Sequence, residues 1–197
     1  MRKTIAILAA GDFPKKDGPA WRILTTADVV VCCDSAADAY LGKFGREPDF
    51  VVGDCDSVKG RFRNIVRVAE QETNDLEKAV LFCKSKGWRH PVILGATGRR
   101  EDHTIGNVFR AMDLGLKVVT DYGTFVPFCG SKSFKSRKGA SISIFAADPA
   151  TKMTSKGLEW PLDDVSFKNL YCATLNRATC GKVVLSSDRP VCLYFGP

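Results

Sequence analysis

The fold prediction starts from the stretch Asp49-Phe50-Val51-Val52-Gly53-Asp54-Cys55-Asp56-Ser57. Its apolar run at 50–52 is short enough for a buried strand, and it ends at a glycine followed by two carboxylates. If the chain stays extended there, Asp54 and Asp56 point the same way and crowd their oxygens, which a bound cation would relieve. The same residues also suit a polar turn closed by side-chain to backbone hydrogen bonds. Taken alone, the stretch leaves both interpretations open.

The first 120 or so residues alternate short apolar runs with helical patterns, which indicates a mostly parallel, Rossmann-like sheet covered by helices. The predicted strands are 4–10, 29–33, 50–52, 65–69, 91–94 and 117–121. The predicted helices are 20–27, 35–43, 74–87 and 101–115. We therefore predict an α/β domain over residues 1–122.

From residue 123 onward the segments are short, alternating and rich in Ser, Thr and Lys, which is typical of an all-β domain. The predicted strands are 124–128, 132–135, 140–146, 153–160, 171–173, 182–186 and 190–195. A β-sandwich or small barrel is expected over residues 123–197.

Composition favours a globular protein with an anionic partner. Of the 197 residues 45% are hydrophobic, and the formal net charge is +7. The basic residues are scattered, so a nucleic-acid-binding module is kept only as a weak alternative. The apolar start at 4–10 predicts a core strand in preference to a signal peptide, and no apolar run is long enough for a membrane span. We expect a cytoplasmic protein with no membrane or nucleic-acid partner.

The eight cysteines form no Cys-x-x-Cys pair, and Cys32, Cys33 and Cys83 fall within apolar segments. This pattern predicts buried free thiols rather than disulfides.

Four carboxylates fall where ligands bind in an open parallel sheet. Asp34, Asp54 and Asp56 follow predicted strands, and Asp75 begins a helix that follows another strand. Magnesium takes oxygen ligands from one or two carboxylates together with phosphates and water. The cluster therefore suits a magnesium-bound polyphosphate.

Phosphate donors are available in the turn at 95–100, which supplies small residues and Arg100 near a helix start. Lys78, one turn into its helix, is a second candidate. A turn of this composition is more often a simple connection. His103 beside Asp102 could orient a substrate or be a surface polar pair, and Trp160 could stack on a cationic ligand or belong to the core.

Four blocks of the chain, in this order, resemble the thiamine pyrophosphokinase family. Residues 48–57 match a Pro-Asp strand running into Gly-Asp-Phe-Asp-Ser, and residues 71–78 match Gln-x-x-Thr-Asp-Leu/Phe-x-Lys with Asn74 in place of threonine. Residues 98–103 resemble Gly-Gly-Arg-x-Asp-His, and residues 154–160 resemble Thr-x-Gly-Leu-x-Trp.

The resemblance implies an α/β domain, a C-terminal β-sandwich and a homodimer that holds thiamine between subunits. It also implies magnesium-dependent transfer of a pyrophosphoryl group from ATP to thiamine, which yields thiamine diphosphate and AMP. The residues that it assigns to the catalytic cluster are Asp34, Asp54, Asp56 and Asp75, the last three as metal ligands. Those assigned to the nucleotide are Gln71, Asn74, Lys78, Arg100, Asp102 and His103. Those assigned to thiamine are Trp160, Thr174 and Asn176.

Three positions depart from the family pattern. Arg99 replaces a small glycine, Cys55 replaces an aromatic residue between the aspartates, and Leu175 stands where the family has serine. An apolar side chain cannot replace a hydroxyl hydrogen bond, so Leu175 weakens the expected thiamine contacts. Two other functions stay open: a different magnesium-dependent nucleotide hydrolase or phosphotransferase, which would yield ADP, and the nucleic-acid module.

Overall fold

The computed structural model describes residues 3–196. The described residues divide into two compact units, one that runs to residue 111 and includes residues 116–121, and the other made of residues 112–115 and of the chain from residue 122 onward. The predicted α/β class is confirmed, since the described residues contain four α-helices together with parallel and antiparallel strand pairs.

The first unit is built around six parallel strands in the order β6-β5-β1-β2-β3-β4. The strands are β1 Ile5–Leu8, β2 Val29–Cys33, β3 Phe50–Gly53, β4 Ile65–Arg67, β5 Val92–Leu94 and β6 Val118–Val119. The helices are α1 Pro19–Thr26, α2 Ala36–Phe44, α3 Asp75–Ser85 and α4 Glu101–Asp113. β1, β2 and β5 are buried throughout or nearly so, and their sequences are uninterrupted apolar runs, as expected for strands covered on both faces.

Helices pack on both faces of these strands. Leu24 of α1 and Tyr40 of α2 pack in one cluster with residues at alternate positions, such as Leu8 and Val30. On the other face, the ring of Phe82 in α3 lies 5.0 Å from that of Phe50. The carboxyl ends of the strands are therefore left free to carry polar side chains.

The second unit consists of antiparallel strands. They are β7 Thr124–Lys135, β8 Ser141–Phe145, β9 Lys152–Lys156, β10 Asp163–Ser166, β11 Ala173–Arg177 and β12 Lys182–Phe195. β12 pairs with β7 along its length, with β9 over residues 184–187 and with β8 over residues 192–195. Ile142, Ile144, Leu185 and Leu193 are fully buried in its core.

Several strand predictions in this unit were wrong. Residues 124–128 and 132–135 form one strand, as do residues 182–186 and 190–195, and β10 was not predicted. The gap left between the predicted strands 182–186 and 190–195 is a bulge, because three residues after Ser187 lie opposite the single residue Cys129 before pairing resumes at Val191. A polar stretch that suggested a turn therefore continues the strand.

The buried thiols predicted at Cys32, Cys33 and Cys83 are confirmed, whereas Cys129, Cys172 and Cys180 are exposed free thiols. No helix within residues 3–196 has the length and apolar character needed to cross a membrane.

Candidate active site

A cleft with a volume of about 460 Å³ lies at the carboxyl ends of the parallel strands. Asp34 directly follows β2, Asp54 directly follows β3, and Asp75 is the first residue of α3. The predicted site residues that line this cleft are Asp34, Asp54, Asp56, Asn74, Asp75, Arg100 and His103. Three other predicted residues do not line the cleft, but each contacts a residue that does. Gln71 contacts Asp54, Lys78 contacts Asp75, and Asp102 contacts Arg100.

Asp34, Asp54 and Asp75 form an acidic triad. One carboxylate oxygen from each lies within 4.8 Å of the other two. Gly53 permits this approach, because a Cβ atom there would lie 2.9 Å from Oδ1 of Asp75 and 3.3 Å from Cβ of Asp34. A side chain at position 53 would displace the carboxylate of Asp75.

Asp34 is the most constrained member of the triad. Burial, followed by the charge of Asp75, raises the pKa of the Asp34 carboxyl above its usual value. Its Oδ1 atom is buried and has no hydrogen-bond partner among residues 3–196. An unpaired buried carboxylate oxygen beside two other carboxylates fits a divalent cation, which would supply the missing partner.

Asp54 and Asp56 do not sit on an extended strand, so the condition under which they were expected to point the same way is not met, although both line the cleft. Cys55 between them has a φ of +61°, in the left-handed region. The backbone N–H of Asp56 donates to Oδ1 of Asp54 at 3.3 Å, and Nε2 of Gln71 donates to Oδ2 at 3.4 Å. These hydrogen bonds lower the pKa of Asp54. Asp56 itself is exposed and lies outside the triad.

Lys78 is buried, with only 3% of its surface exposed, and does not line the cleft. Its Nζ atom lies 3.6 Å from Oδ1 of Asp75, one helical turn earlier. A fixed positive charge behind three carboxylates offsets part of their mutual repulsion.

Asn74 joins the start of α3 to α4. Its Oδ1 accepts from the backbone N–H of Glu77 at 2.9 Å, which caps α3, and its Nδ2 donates to Oδ1 of Asn107 at 3.3 Å. Nδ2 of Asn107 in turn donates to the carbonyl of Ala96 at 3.2 Å. This chain of amides connects α3, α4 and the turn after β5.

The turn at 95–100 is held against the segment that follows β1. The backbone N–H of Gly11 donates to the carbonyl of Gly95 at 2.7 Å, and Nη1 of Arg99 donates to the carbonyl of Ala10 at 3.4 Å. Gly95, Gly98 and Arg99 all have positive φ. At Gly98 the positive φ favours glycine, and a Cβ atom there would also displace the carboxylate of Asp12.

Arg100 and Asp102 form an ion pair at the start of α4, with Nη2 and Oδ2 2.6 Å apart. The Arg100 guanidinium lowers the pKa of Asp102 to about 2. About two thirds of each side chain is exposed, so the pair adds little stability and Arg100 can turn towards a bound anion.

In the second unit, Trp160 is 55% exposed and its backbone is fixed by Asn176. Oδ1 of Asn176 accepts from the N–H of Trp160 at 3.2 Å, and Nδ2 donates to the Trp160 carbonyl at 2.7 Å. Thr174 Oγ1 donates to the carbonyl of Tyr171 at 2.9 Å. Leu175 is 84% exposed with a φ of +62°. Trp160 is thus a surface residue rather than a core one.

Comparison with protein families covers most of the chain. Residues 20–119 match the family model described as thiamin pyrophosphokinase, catalytic domain, and residues 123–194 match thiamin pyrophosphokinase, substrate-binding domain. The chain belongs to the thiamin pyrophosphokinase family. The cleft residues from Asp34 to Asn107 lie in the catalytic-domain match, and Trp160 and Asn176 lie in the substrate-binding match.

Individual relatives agree with this family. Thiamine pyrophosphokinase 1 of Oryza sativa subsp. japonica is 25% identical over 144 residues, which are 61% of this chain and 54% of that protein. The chain thus spans about half the length of that relative. Thiamin pyrophosphokinase from Candida albicans has a similar fold, with a TM-score of 0.81 at 12% identity over 98% of this chain and 89% of the other. Thiamine pyrophosphokinase from Bacillus subtilis has a TM-score of 0.78 at 19% identity, with 98% and 99% covered.

In this member of the thiamin pyrophosphokinase family, two residues of the cleft region have structural roles that the sequence pattern did not predict. Gly53 makes room for the triad, and Asn107 connects Asn74 to the turn after β5. A signal existed for Asn107, since it lies four residues after His103 on the same helix and both line the cleft. Only the packing identifies Gly53, because a glycine at a strand end usually marks an ordinary turn.

Proposed function

We propose that the chain transfers a pyrophosphoryl group from ATP to thiamine, which yields thiamine diphosphate and AMP. The observation that carries this proposal is the acidic triad of Asp34, Asp54 and Asp75, in one cleft with Arg100, in a member of the thiamin pyrophosphokinase family. The thiamine hydroxyl would attack the β-phosphorus of ATP in line, and AMP would leave.

Asp34, Asp54 and Asp75 would hold magnesium, and Asp56 is proposed as a further ligand because it lines the same cleft. When bound, the ion would neutralise phosphate charge during transfer. The unpaired Oδ1 of Asp34 supports this assignment, because a carboxylate oxygen buried without a donor is costly unless a cation meets it. Gln71 and Lys78 would position Asp54 and Asp75 respectively rather than reach the nucleotide directly.

Arg100 and His103 would bind the polyphosphate from the first turn of α4. A guanidinium can hold two phosphate oxygens at once, and the α4 N-terminus adds a favourable dipole for an anion. Asp102 would orient Arg100 through their ion pair. Asn74 would support the same wall by capping α3 and bonding Asn107.

Trp160 would stack on the cationic ring of thiamine, with Asn176 fixing its backbone and Thr174 offering its hydroxyl nearby.

We further propose a homodimer, a Rossmann-like first unit and a β-sandwich second unit. The exposed Trp160, Tyr171 and Leu175 support the dimer, because large apolar side chains at a surface favour association. β12 changes partner from β9 to β8 at its bulge, which supports a sandwich. A cytoplasmic location stays a prediction.

The proposal is tested by incubating the purified chain with ATP, magnesium and thiamine and separating the nucleotides and thiamine species. Equal amounts of AMP and thiamine diphosphate, formed only when metal and thiamine are both present, are expected. ADP with thiamine monophosphate would contradict pyrophosphoryl transfer and favour an ordinary phosphotransferase. Folded protein without turnover would contradict both.

A further inference from the structure

A second cavity, of about 410 Å³, lies at the amino ends of the parallel strands, whereas the cleft lies at their carboxyl ends. Lys3 precedes β1, and Gly87 to His90 lie between α3 and β5, so both segments stand at the amino ends of neighbouring parallel strands. The lining consists of Lys3, Ile5, Gly87, Trp88, Arg89 and His90. None of the catalytic-cleft residues contributes to it.

The polar part of this lining is basic. Lys3, Arg89 and His90 are exposed, and the lining contains no carboxylate. Among residues 3–196 no acidic side chain forms an ion pair with Lys3 or Arg89. Like charges grouped in a concave surface raise the local concentration of anions, and a guanidinium suits phosphate oxygens best.

The apolar part of the lining packs against the core. Ile5 is buried to 4% exposure and forms part of the wall. The ring of Trp88 is half-buried, 6.0 Å from Phe50 and 6.1 Å from Phe82, so its position is set by the core. The backbone N–H of Trp88 donates to the carbonyl of Cys83 at 2.9 Å, which ties the loop to the end of α3. A fixed indole at a cavity wall offers a stacking surface for a flat ring.

We propose that this cavity binds a phosphate ester that carries a flat heterocyclic ring, a ligand of the nucleotide class. Arg89, Lys3 and His90 hold the phosphate, and Trp88 contacts the ring. The volume falls within the range of sites for small organic ligands. The site is independent of the pyrophosphoryl transfer proposed above, because it shares no residue with the catalytic cleft.

The test is a nuclear magnetic resonance titration of the full chain with AMP, in the presence of EDTA, that follows the indole N–H signals. The Trp88 signal is assigned with a Trp88→Phe variant. AMP is expected to shift the Trp88 signal saturably. The Arg89→Ala/His90→Ala double variant is expected to bind at least about tenfold more weakly, since charge-assisted hydrogen bonds to phosphate are lost.

Two controls separate this cavity from the rest of the surface. Arg63→Ala removes an exposed arginine elsewhere in the first unit, and Arg100→Ala disables the proposed nucleotide contact of the cleft; both are expected to leave the Trp88 shift unchanged. Inorganic phosphate is expected to bind more weakly than AMP. Absence of a Trp88 shift, its loss in Arg100→Ala, or equal binding of phosphate and AMP would each overturn the proposal.

Discussion

The Nζ atom of Lys78 lies 3.6 Å from Oδ1 of Asp75, and only 2% of the lysine side chain is exposed, against 32% of the aspartate side chain. The pair places a buried ammonium group beside the acidic triad, whose three carboxylates line the cleft. A lysine is seldom buried this deeply unless it has a partner, so the pairing accounts for its position.

Replacement of Lys78 by Met should destabilise the metal-free chain by about 2 kcal/mol, because Asp75 would lose its counter-charge while it remains partly buried. Urea unfolding in EDTA measures this effect, and magnesium should restore part of the loss. Lys84→Met, which changes an exposed lysine on the same helix, is the matched control and should cost much less. Equal losses for the two variants would show that Lys78 has no special role.

Asp34→Asn should stabilise the metal-free chain at neutral pH. Folding raises the pKa of the Asp34 carboxyl above 3.8, so the protonated carboxyl favours the folded state. This contribution to stability is fully present below pH 3.8 and is lost as the pH rises through the raised pKa. Asparagine stays neutral and tolerates the φ of +42° at this position. Thermal unfolding in EDTA across a pH series should show a gain near neutrality that disappears in acid. Turnover should fall by about a hundredfold or more. A lower unfolding midpoint at neutral pH would contradict this account.

Asp54→Asn and Asp56→Asn distinguish two proposed ligands. Asp54 belongs to the triad, so its replacement should weaken Mn²⁺ binding and lower turnover by about a hundredfold. If Asp56 is also a direct ligand, Asp56→Asn should cost a similar factor in turnover. Calorimetry with Mn²⁺ and steady-state kinetics give both quantities. Near-normal activity of a folded Asp56→Asn variant would eliminate the ligand role of that residue.

Asn74 has two structural roles that substitution can separate. Asn74→Ala removes the α3 cap and should cost about 1 kcal/mol of unfolding free energy. Asn74→Thr keeps a capping oxygen and loses only the bond to Asn107, so it should retain most of the stability. Urea unfolding compares the two variants. If they are equally destabilised, the bond to Asn107 matters more than the cap.

Trp160→Ala should raise the KM for thiamine by about tenfold and leave the KM for ATP unchanged, since only the stacking of a cationic ring is lost. Asn176→Ala should produce a smaller change of the same kind, because its amide holds the Trp160 backbone. Steady-state kinetics with each substrate varied in turn provide the measurement. Equal increases in both KM values would point to a general loss of structure.

Local patterns were sufficient for most of the first unit. β2 was predicted at its observed bounds, and β1, β3 and β5 were predicted to within about two residues, because short buried strands are continuous apolar runs. The gathering of Asp34, Asp54 and Asp75 followed from the geometry of a parallel sheet, where strand ends meet at one edge.

The second unit was harder because its strands are long and irregular. The stretch from Ser187 to Val191 contains the polar residues and the proline that normally mark a turn, yet it continues β12 as a bulge. Pairing with β7 on both sides of the bulge holds the strand together, and those partners are distant in the chain.

Residue type and spacing thus determined the α/β class, the strand-end carboxylates and the family resemblance, since each depends on local pattern. Tertiary packing decided which atoms meet. Cys55 between the two aspartates has a left-handed backbone, the triad consists of Asp34, Asp54 and Asp75 without Asp56, and Lys78 is buried beside Asp75 and does not line the cleft. These outcomes depend on desolvation and on contacts between segments far apart in the chain, and neither is encoded in the neighbours of a single residue.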